Sequence, residues 1–253
     1  MSSAPLELIL PNWPAPSWVL AGSTTRIGGV SSGVFASLNL GDHVGDAANL
    51  VAENRALLQK LAKLPSAPAW LQQVHGTHIL PLSQWSGDVV VADASLSRAP
   101  AEVCVVMTAD CLPVLFCCPD TRQVAAAHAG WRGLCDGILE KTLAQFSNPS
   151  SVLVWLGPCI GPTAFEVGDE VRQQFLVNDA AAEVAFAPSQ NSGKWLANLP
   201  LLARQRLQSA GAHAIYSAEQ CTFSHAEQFF SYRRDGQTGR MATFICMLAE
   251  EPA

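Results

Sequence analysis

The chain has 253 residues, of which 49% are hydrophobic and only 14% charged, with a formal net charge of −6. That composition supports a sizeable buried core and excludes long disordered tails. The acidic balance argues against a nucleic-acid partner, which would need a basic face, but leaves room for a local arginine pocket that takes a small anion. No basic residue precedes Leu8-Ile9-Leu10 and no run approaches the length of a membrane span, so neither a secretory signal nor a membrane partner is predicted, and the expected location is cytoplasmic.

The opening is extended and proline-rich (Pro11, Pro14, Pro16), and Trp18 to Ala21 reads as a strand. A Gly/Ser loop over 24–33 follows, of a kind that brings backbone close to a ligand. Asp46 is the expected N-cap of a helix through about Lys63, spaced by Leu50, Asn54, Leu57, Leu58 and Leu61. Short apolar runs then predict strands at 71–74, 89–92, 103–108 and 113–117, with only Ala109-Asp110-Cys111-Leu112 between the last two. Gln123 to Ala127 reads as a strand ending at His128, and the glycines of Gly130-Trp131-Arg132-Gly133 lead into a helix to about Phe146. Val152 to Leu156 is a further strand, helices are expected near 168–176 and 199–210, and closing strands at 214–216 and 242–248.

Several strand links are too short to hold a crossover helix, which disfavours an all-parallel sheet. The expected class is α+β: one domain over 1–253, with packed mixed β-sheets and helices on their outer faces. The eight cysteines lie mostly among Val, Leu, Ile and Phe, where a reduced thiol packs as a small hydrophobe, and no CxxC pair is present. Cys111 is the exception. With Asp110 it sits at a strand tip, and His75 and His128 also lie at strand ends beside small residues, a pattern that suggests a cleft at one sheet edge. Their spacing matches no short metal motif, and a satisfied histidine pair with a buried thiol is the competing reading.

Longer stretches are more specific. Thr25-Arg26-Ile27-Gly28-Gly29-Val30-Ser31, Gln73-Val74-His75-Gly76, Thr108-Ala109-Asp110-Cys111-Leu112-Pro113, His128-Ala129-Gly130-Trp131-Arg132-Gly133, Leu156-Gly157-Pro158-Cys159-Ile160-Gly161 and Phe230-Ser231-Tyr232-Arg233-Arg234-Asp235 occur in this order. Together they resemble the YfiH-like "laccase-domain" family (polyphenol oxidase / purine nucleoside phosphorylase) over nearly the whole chain.

The resemblance implies that His75, Cys111 and His128 are zinc ligands, with a fourth position open to water or substrate. It also implies phosphorolysis of purine nucleosides (inosine, adenosine, guanosine, methylthioadenosine) together with adenosine deamination. Nucleosides and phosphate are then the partners. Asp110 is expected either to orient the thiolate or accept a proton, or else only to build the turn. Arg26 in the Gly/Ser loop is the first candidate for the phosphate and Arg132 the second. Trp131, Trp155, Tyr232 and Phe165 are available to stack on a purine, and Arg233, Arg234 and Arg240 form a basic cluster facing either a pocket or solvent.

Three other readings are weighed. Copper chemistry of the laccase type needs many more histidines than the six present, and its axial methionine would have to be Met107. A cysteine hydrolase that edits peptidoglycan precursors would use Cys111 as nucleophile. A nucleoside-sensing module would keep zinc for structure alone.

Overall fold

The computed structural model describes residues 6–249. Its centre is two β-sheets lying face to face. A four-stranded antiparallel sheet has the order Leu8–Ile9, Val19–Thr24, Met241–Met247, Val103–Thr108. A six-stranded sheet runs Ala214–Ser217, Leu153–Leu156, Leu112–Cys118, Gln123–Ala129, Ala94–Ser97, Ile79–Pro81, parallel at its two outer pairs and antiparallel within. A three-stranded sheet (Glu166–Gly168, Lys194–Ala197, Phe186–Pro188) and a parallel pair (Leu71–Gln72 with Val90–Val91) complete the β structure among the described residues.

Side-chain alternation sorts each central strand between two layers. Cys104 and Val106 face Leu115, Cys117, Val124 and Ala126 between the sheets, with Trp155 and Ile245. The alternate residues Val103 and Val105 pack outward on Leu58 of the helix Ala48–Leu61. On the other side Val114, Phe116, Ala125 and Ala127 meet the helices Ile138–Leu143, Asp169–Asn178 and Leu199–Ser209. The result is four layers: helix, sheet, sheet, helices. Because both faces of the inner strands are covered, their sequences are uninterrupted apolar runs. Leu112–Cys118 is buried at every position. The α+β class and mixed sheets match expectation.

Several boundaries differ, each for a physical reason. The single helix expected to follow Gly130-Trp131-Arg132-Gly133 and run to about Phe146 is two, Trp131–Cys135 and Ile138–Leu143, because Gly137 takes φ 92° between them. Asp46 does not cap the helix at Ala48, whose N-cap position is Ala47. Its carboxylate instead accepts from Ser31 Oγ at 2.6 Å and Asn39 Nδ2 at 2.9 Å, tying two loops. The Gly/Ser loop brings backbone close to its own chain: a Cβ at Gly29 would stand 2.3 Å from the Ser37 carbonyl. Asn54, one of the residues that set the helical spacing, is fully buried there and bonds Val30 N, Ser31 Oγ and Asn39 O. The buried stripe of that helix is Val51, Asn54 and Leu58, and Leu61 is exposed. No helix among the described residues is long and apolar enough to cross a membrane.

Candidate metal centre

The strands Val103–Thr108 and Leu112–Cys118 read as neighbours in sequence, yet they belong to different sheets. The turn between them passes from one layer to the other and carries Cys111 across the open end of the sandwich. Asp110 takes φ 97° there, a conformation that costs energy for a non-glycine residue unless it is held. It is held by both carboxylate oxygens. Oδ1 accepts from Thr222 Oγ1 at 2.7 Å; Oδ2 accepts from Ser231 Oγ at 3.0 Å and the Arg233 N–H at 2.7 Å. In this structure the Asp110 carboxylate therefore builds the turn that presents Cys111.

His128 lies in the strand Gln123–Ala129, opposite Pro113. Proline has no N–H to give to the ladder, and His128 directs its own N–H to the other side, where it donates to the Asp93 carbonyl at 2.7 Å. Being of the same parity as Val124 and Ala126, His128 points between the sheets, toward Cys111. His75 follows the short strand Leu71–Gln72 at φ 61°. Its segment is fastened to the sheet edge by Gln73, whose amide donates to Met107 O at 2.8 Å and accepts from Met107 N at 2.7 Å.

Asp93 organises both histidines and escaped the sequence reading. It is fully buried, with Oδ1 2.8 Å from His128 Nδ1 and accepting the His75 N–H at 2.9 Å. Oδ2 accepts the N–H groups of Gly76 at 2.7 Å and Val74 at 3.2 Å. The signal that could have found it is a lone carboxylate closing the apolar run Val89-Val90-Val91-Ala92, since a buried charge must be paired. With Nδ1 engaged by Asp93, His128 turns Nε2 to the cleft.

The donor atoms of His75, Cys111 and His128 lie within 4.8 Å of one another. The two imidazole rings stand 4.8 Å apart at 73°, and Cys111 Sγ is 3.7 Å from His75 Nε2. A tetrahedral zinc would space a sulfur and a nitrogen ligand roughly 3.5 Å apart, so the set fits such an ion. Room is left by Gly130: a Cβ there would stand 2.4 Å from His75 Cδ2 and 3.1 Å from Cys111 Sγ. Burial pushes the Cys111 thiol up, but the charge and hydrogen bonds of His128, joined by His75, bring it down to about 6. Burial lowers His128, while Cys111 and Asp93 more than offset that and raise it to about 9. The thiolate that a metal needs is thus already favoured. Among the described residues this is the one group of three or more His, Cys, Asp or Glu that could hold a metal ion.

The cluster stands between two cavities. One, of about 370 Å³, is lined by His43, Gln73, Met107 and Arg240 as well as by the three donors. The other, of about 120 Å³, is mainly apolar, with Trp131, Ile160, Phe165 and Leu199 around Cys111. Tyr232, 62% exposed, borders both. Trp155 is fully buried between the sheets and faces neither.

The arginines separate by role. Arg26 donates Nε to Ala36 O at 2.8 Å and Nη1 to Ala226 O at 3.1 Å, and lies over the Phe230 ring; it lines neither cavity. Arg132 is exposed over its neighbour Trp131. Arg233 lies over Phe165 at the apolar cavity, while Arg234 bonds the carbonyls of Thr222, Phe223 and Phe229. Arg240 is the arginine that lines the larger cleft, and its Nη1 donates to Thr238 O and Gly239 O at 3.0 Å each.

Comparison with known proteins agrees with this architecture. A family model described as multi-copper polyphenol oxidoreductase laccase matches residues 20–248. The chain is 54% identical over 243 residues to the purine nucleoside phosphorylase YfiH of Escherichia coli K12, covering 96% of this chain and 99% of that one. It is 50% identical over 242 residues to a purine nucleoside phosphorylase of Haemophilus influenzae, with 95% and 99% covered. A crystal structure of a Neisseria meningitidis protein superposes with a TM-score of 0.91 at 45% identity, covering 96% of this chain and 99% of the other. YlmD from Geobacillus stearothermophilus superposes with a TM-score of 0.82 at 32% identity, covering 93% and 94%. With the family model spanning most of its length and relatives of this similarity matched end to end, the chain belongs to the laccase-like YfiH family of enzymes.

Proposed function

We propose that this chain is a zinc-dependent purine nucleoside phosphorylase, acting on inosine, adenosine, guanosine and methylthioadenosine, that also deaminates adenosine. The observation that carries the reading is the position of the His75–Cys111–His128 cluster between a mainly apolar cavity and a larger cleft of mixed lining that Arg240, Gln73 and His43 border. Phosphorolysis needs a flat apolar base and an anionic nucleophile on either side of the ribose C1′. Trp131 and Phe165 suit the base. Arg240 suits the phosphate, whose own negative charge stabilises the cationic sugar as the glycosidic bond lengthens. Arg26 and Arg132 remain proposed phosphate contacts that would have to leave their present partners to reach it.

His75, Cys111 and His128 would hold the ion, which when bound supplies Lewis acidity and an acidified water suited to attack on an amino-substituted purine carbon. This chain's own groups do the rest. Asp93 fixes the tautomer of His128, Asp110 holds the turn of Cys111, and the walls of the apolar cavity exclude water from the base.

Zinc is favoured over copper by the donors. Met107, the methionine at the cleft, has its sulfur 3.9 Å from Arg55 Nη2, and no second histidine cluster exists among the described residues to complete a multicopper centre. The test is phosphate-dependent release of hypoxanthine from inosine by the zinc-loaded protein, with ammonia release from adenosine measured in parallel. Both activities are expected to fall at least a hundredfold in Cys111→Ala. Wild-type turnover in that variant would overturn the assignment, and activity without phosphate would favour hydrolysis instead.

A further inference from the structure

Away from the metal cluster, two of the eight free thiols stand opposite each other. Cys159 and Cys221 are partners in an isolated parallel β-bridge. The bridge is closed by Cys159 N donating to Gln220 O at 3.3 Å and Thr222 N donating to Cys159 O at 2.9 Å. Bridge partners on adjacent segments stand roughly 5 Å apart at Cα, within the roughly 4.4–6.8 Å that a disulfide spans. Both residues line one surface cleft of about 410 Å³.

Their environments differ. Cys221 is half-buried, and its sulfur accepts the Gly161 N–H at 3.1 Å and the Ser224 hydroxyl at 3.3 Å. A Cβ at Gly161 would stand 3.0 Å from that sulfur, so glycine is what lets the backbone donor approach. Burial pushes the Cys221 thiol up, and these donors, with the N–H groups of Ser224 and Phe223, outweigh it and lower it. Cys159 is 3% exposed, and burial holds its thiol protonated. An accessible cysteine whose sulfur accepts two hydrogen bonds, beside a second cysteine, is the arrangement of a redox-sensing pair.

We propose that Cys221 and Cys159 form a reversible redox pair in which hydroperoxide oxidises Cys221 and Cys159 then closes a disulfide. In the first step the Cys221 sulfur attacks one peroxide oxygen, the O–O bond breaks, and hydroxide leaves to be protonated to water, giving a sulfenic acid. In the second, the Cys159 sulfur attacks the Cys221 sulfur, the S–O bond breaks, and the hydroxyl departs as a second water with the Cys159 proton. Two thiols are oxidised and one hydrogen peroxide is reduced to two waters. The segments joined are those that hold Asp110: Ile160 N donates to its carbonyl at 2.9 Å and Thr222 Oγ1 to its carboxylate at 2.7 Å. The disulfide would fasten the rear of the turn that carries Cys111.

The test treats the full-length protein with stoichiometric hydrogen peroxide, blocks free thiols with N-ethylmaleimide, and maps peptides without reductant. The expected result is one cross-linked peptide joining Cys159 to Cys221, lighter by two hydrogens and abolished by dithiothreitol. In Cys159→Ala, dimedone should trap a sulfenic acid at Cys221; in Cys221→Ser, Cys159 should remain alkylatable after denaturation. The proposal is overturned if wild-type Cys159 and Cys221 both remain alkylatable, if Cys221 passes to sulfinic acid without a cross-link, or if Cys159 pairs with another cysteine. The wild-type map needs no variant to fold.

Discussion

Oδ1 of Asp93 stands 2.8 Å from Nδ1 of His128, and the same oxygen accepts the backbone N–H of His75. One buried carboxylate thereby sets the tautomer of one proposed ligand and the backbone of the other. Asp93→Asn keeps the shape but loses the charge and places an NH₂ among N–H donors. The expected outcome is a ~10–100-fold loss of zinc affinity, read by competition with a chromophoric chelator, and a loss of about 2–4 kcal/mol in urea unfolding.

The same residue makes a pH signature. Burial pushes Asp93 up, but the His128 hydrogen bond and charge, with the N–H groups of Gly76 and Val74, hold it below the usual carboxylate range. A depressed carboxylate contributes stability that is fully present above its unfolded pKa of about 4. That contribution is lost as pH falls through the lower folded value. Metal-free wild type should therefore lose urea stability more steeply below about pH 4 than Asp93→Asn does; identical slopes would remove Asp93 from the account.

Gly130 offers a cleaner separation of site from fold. Its backbone, φ −65° and ψ 157°, is open to alanine, so substitution there strains no dihedral angle. The added methyl nevertheless meets His75 Cδ2 at 2.4 Å. Because His75 is exposed, it can be pushed aside without disturbing the core. Gly130→Ala should unfold within about 1 kcal/mol of wild type while zinc per chain, by elemental analysis, drops well below one equivalent.

For phosphate the discriminating set is Arg240→Ala, Arg26→Ala and Arg132→Ala. Arg240 already lines the cleft, so its loss should raise the KM for phosphate at least tenfold with little change in the KM for inosine. Arg26 lines neither cavity and holds two backbone carbonyls, so its loss should lower thermal stability with little change in the KM for phosphate. A phosphate KM that moves with Arg26 or Arg132 and not with Arg240 would reassign the anion site.

Metal removal checks the cofactor. Dialysis against a strong chelator should abolish inosine phosphorolysis, and one equivalent of zinc should restore it. Cupric ion should restore neither phosphorolysis nor deamination. Full activity in the metal-free protein with an alkylatable Cys111 would instead support a cysteine nucleophile.

Much of the fold was readable because burial on two faces leaves a plain mark. Val103–Thr108, Leu112–Cys118 and Gln123–Ala129 are apolar at nearly every position, and the helix Leu199–Ser209 starts at an Asn198 cap whose side chain accepts the Leu201 N–H. What local pattern could not give was the partnership of Val103–Thr108. A short turn between two apolar strands reads equally as a hairpin or as a step between layers. The step was chosen by Met241–Met247, more than a hundred residues away, which pairs with Val103–Thr108 on one edge and Val19–Thr24 on the other.

The candidate site divides in the same way. His75, Cys111 and His128 were named from residue type, strand-end position beside small residues, and family resemblance. Asp93, Gly130 and Arg240 needed coordinates: a carboxylate, a missing Cβ and a guanidinium acquire their roles only through what surrounds them. By itself the sequence determined the layer-forming strands and the α+β class, and through its family resemblance it singled out the three candidate donors. Only the tertiary structure decided how the donors meet, because their meeting rests on a turn that crosses between two sheets and on one buried carboxylate shared by segments far apart in the chain.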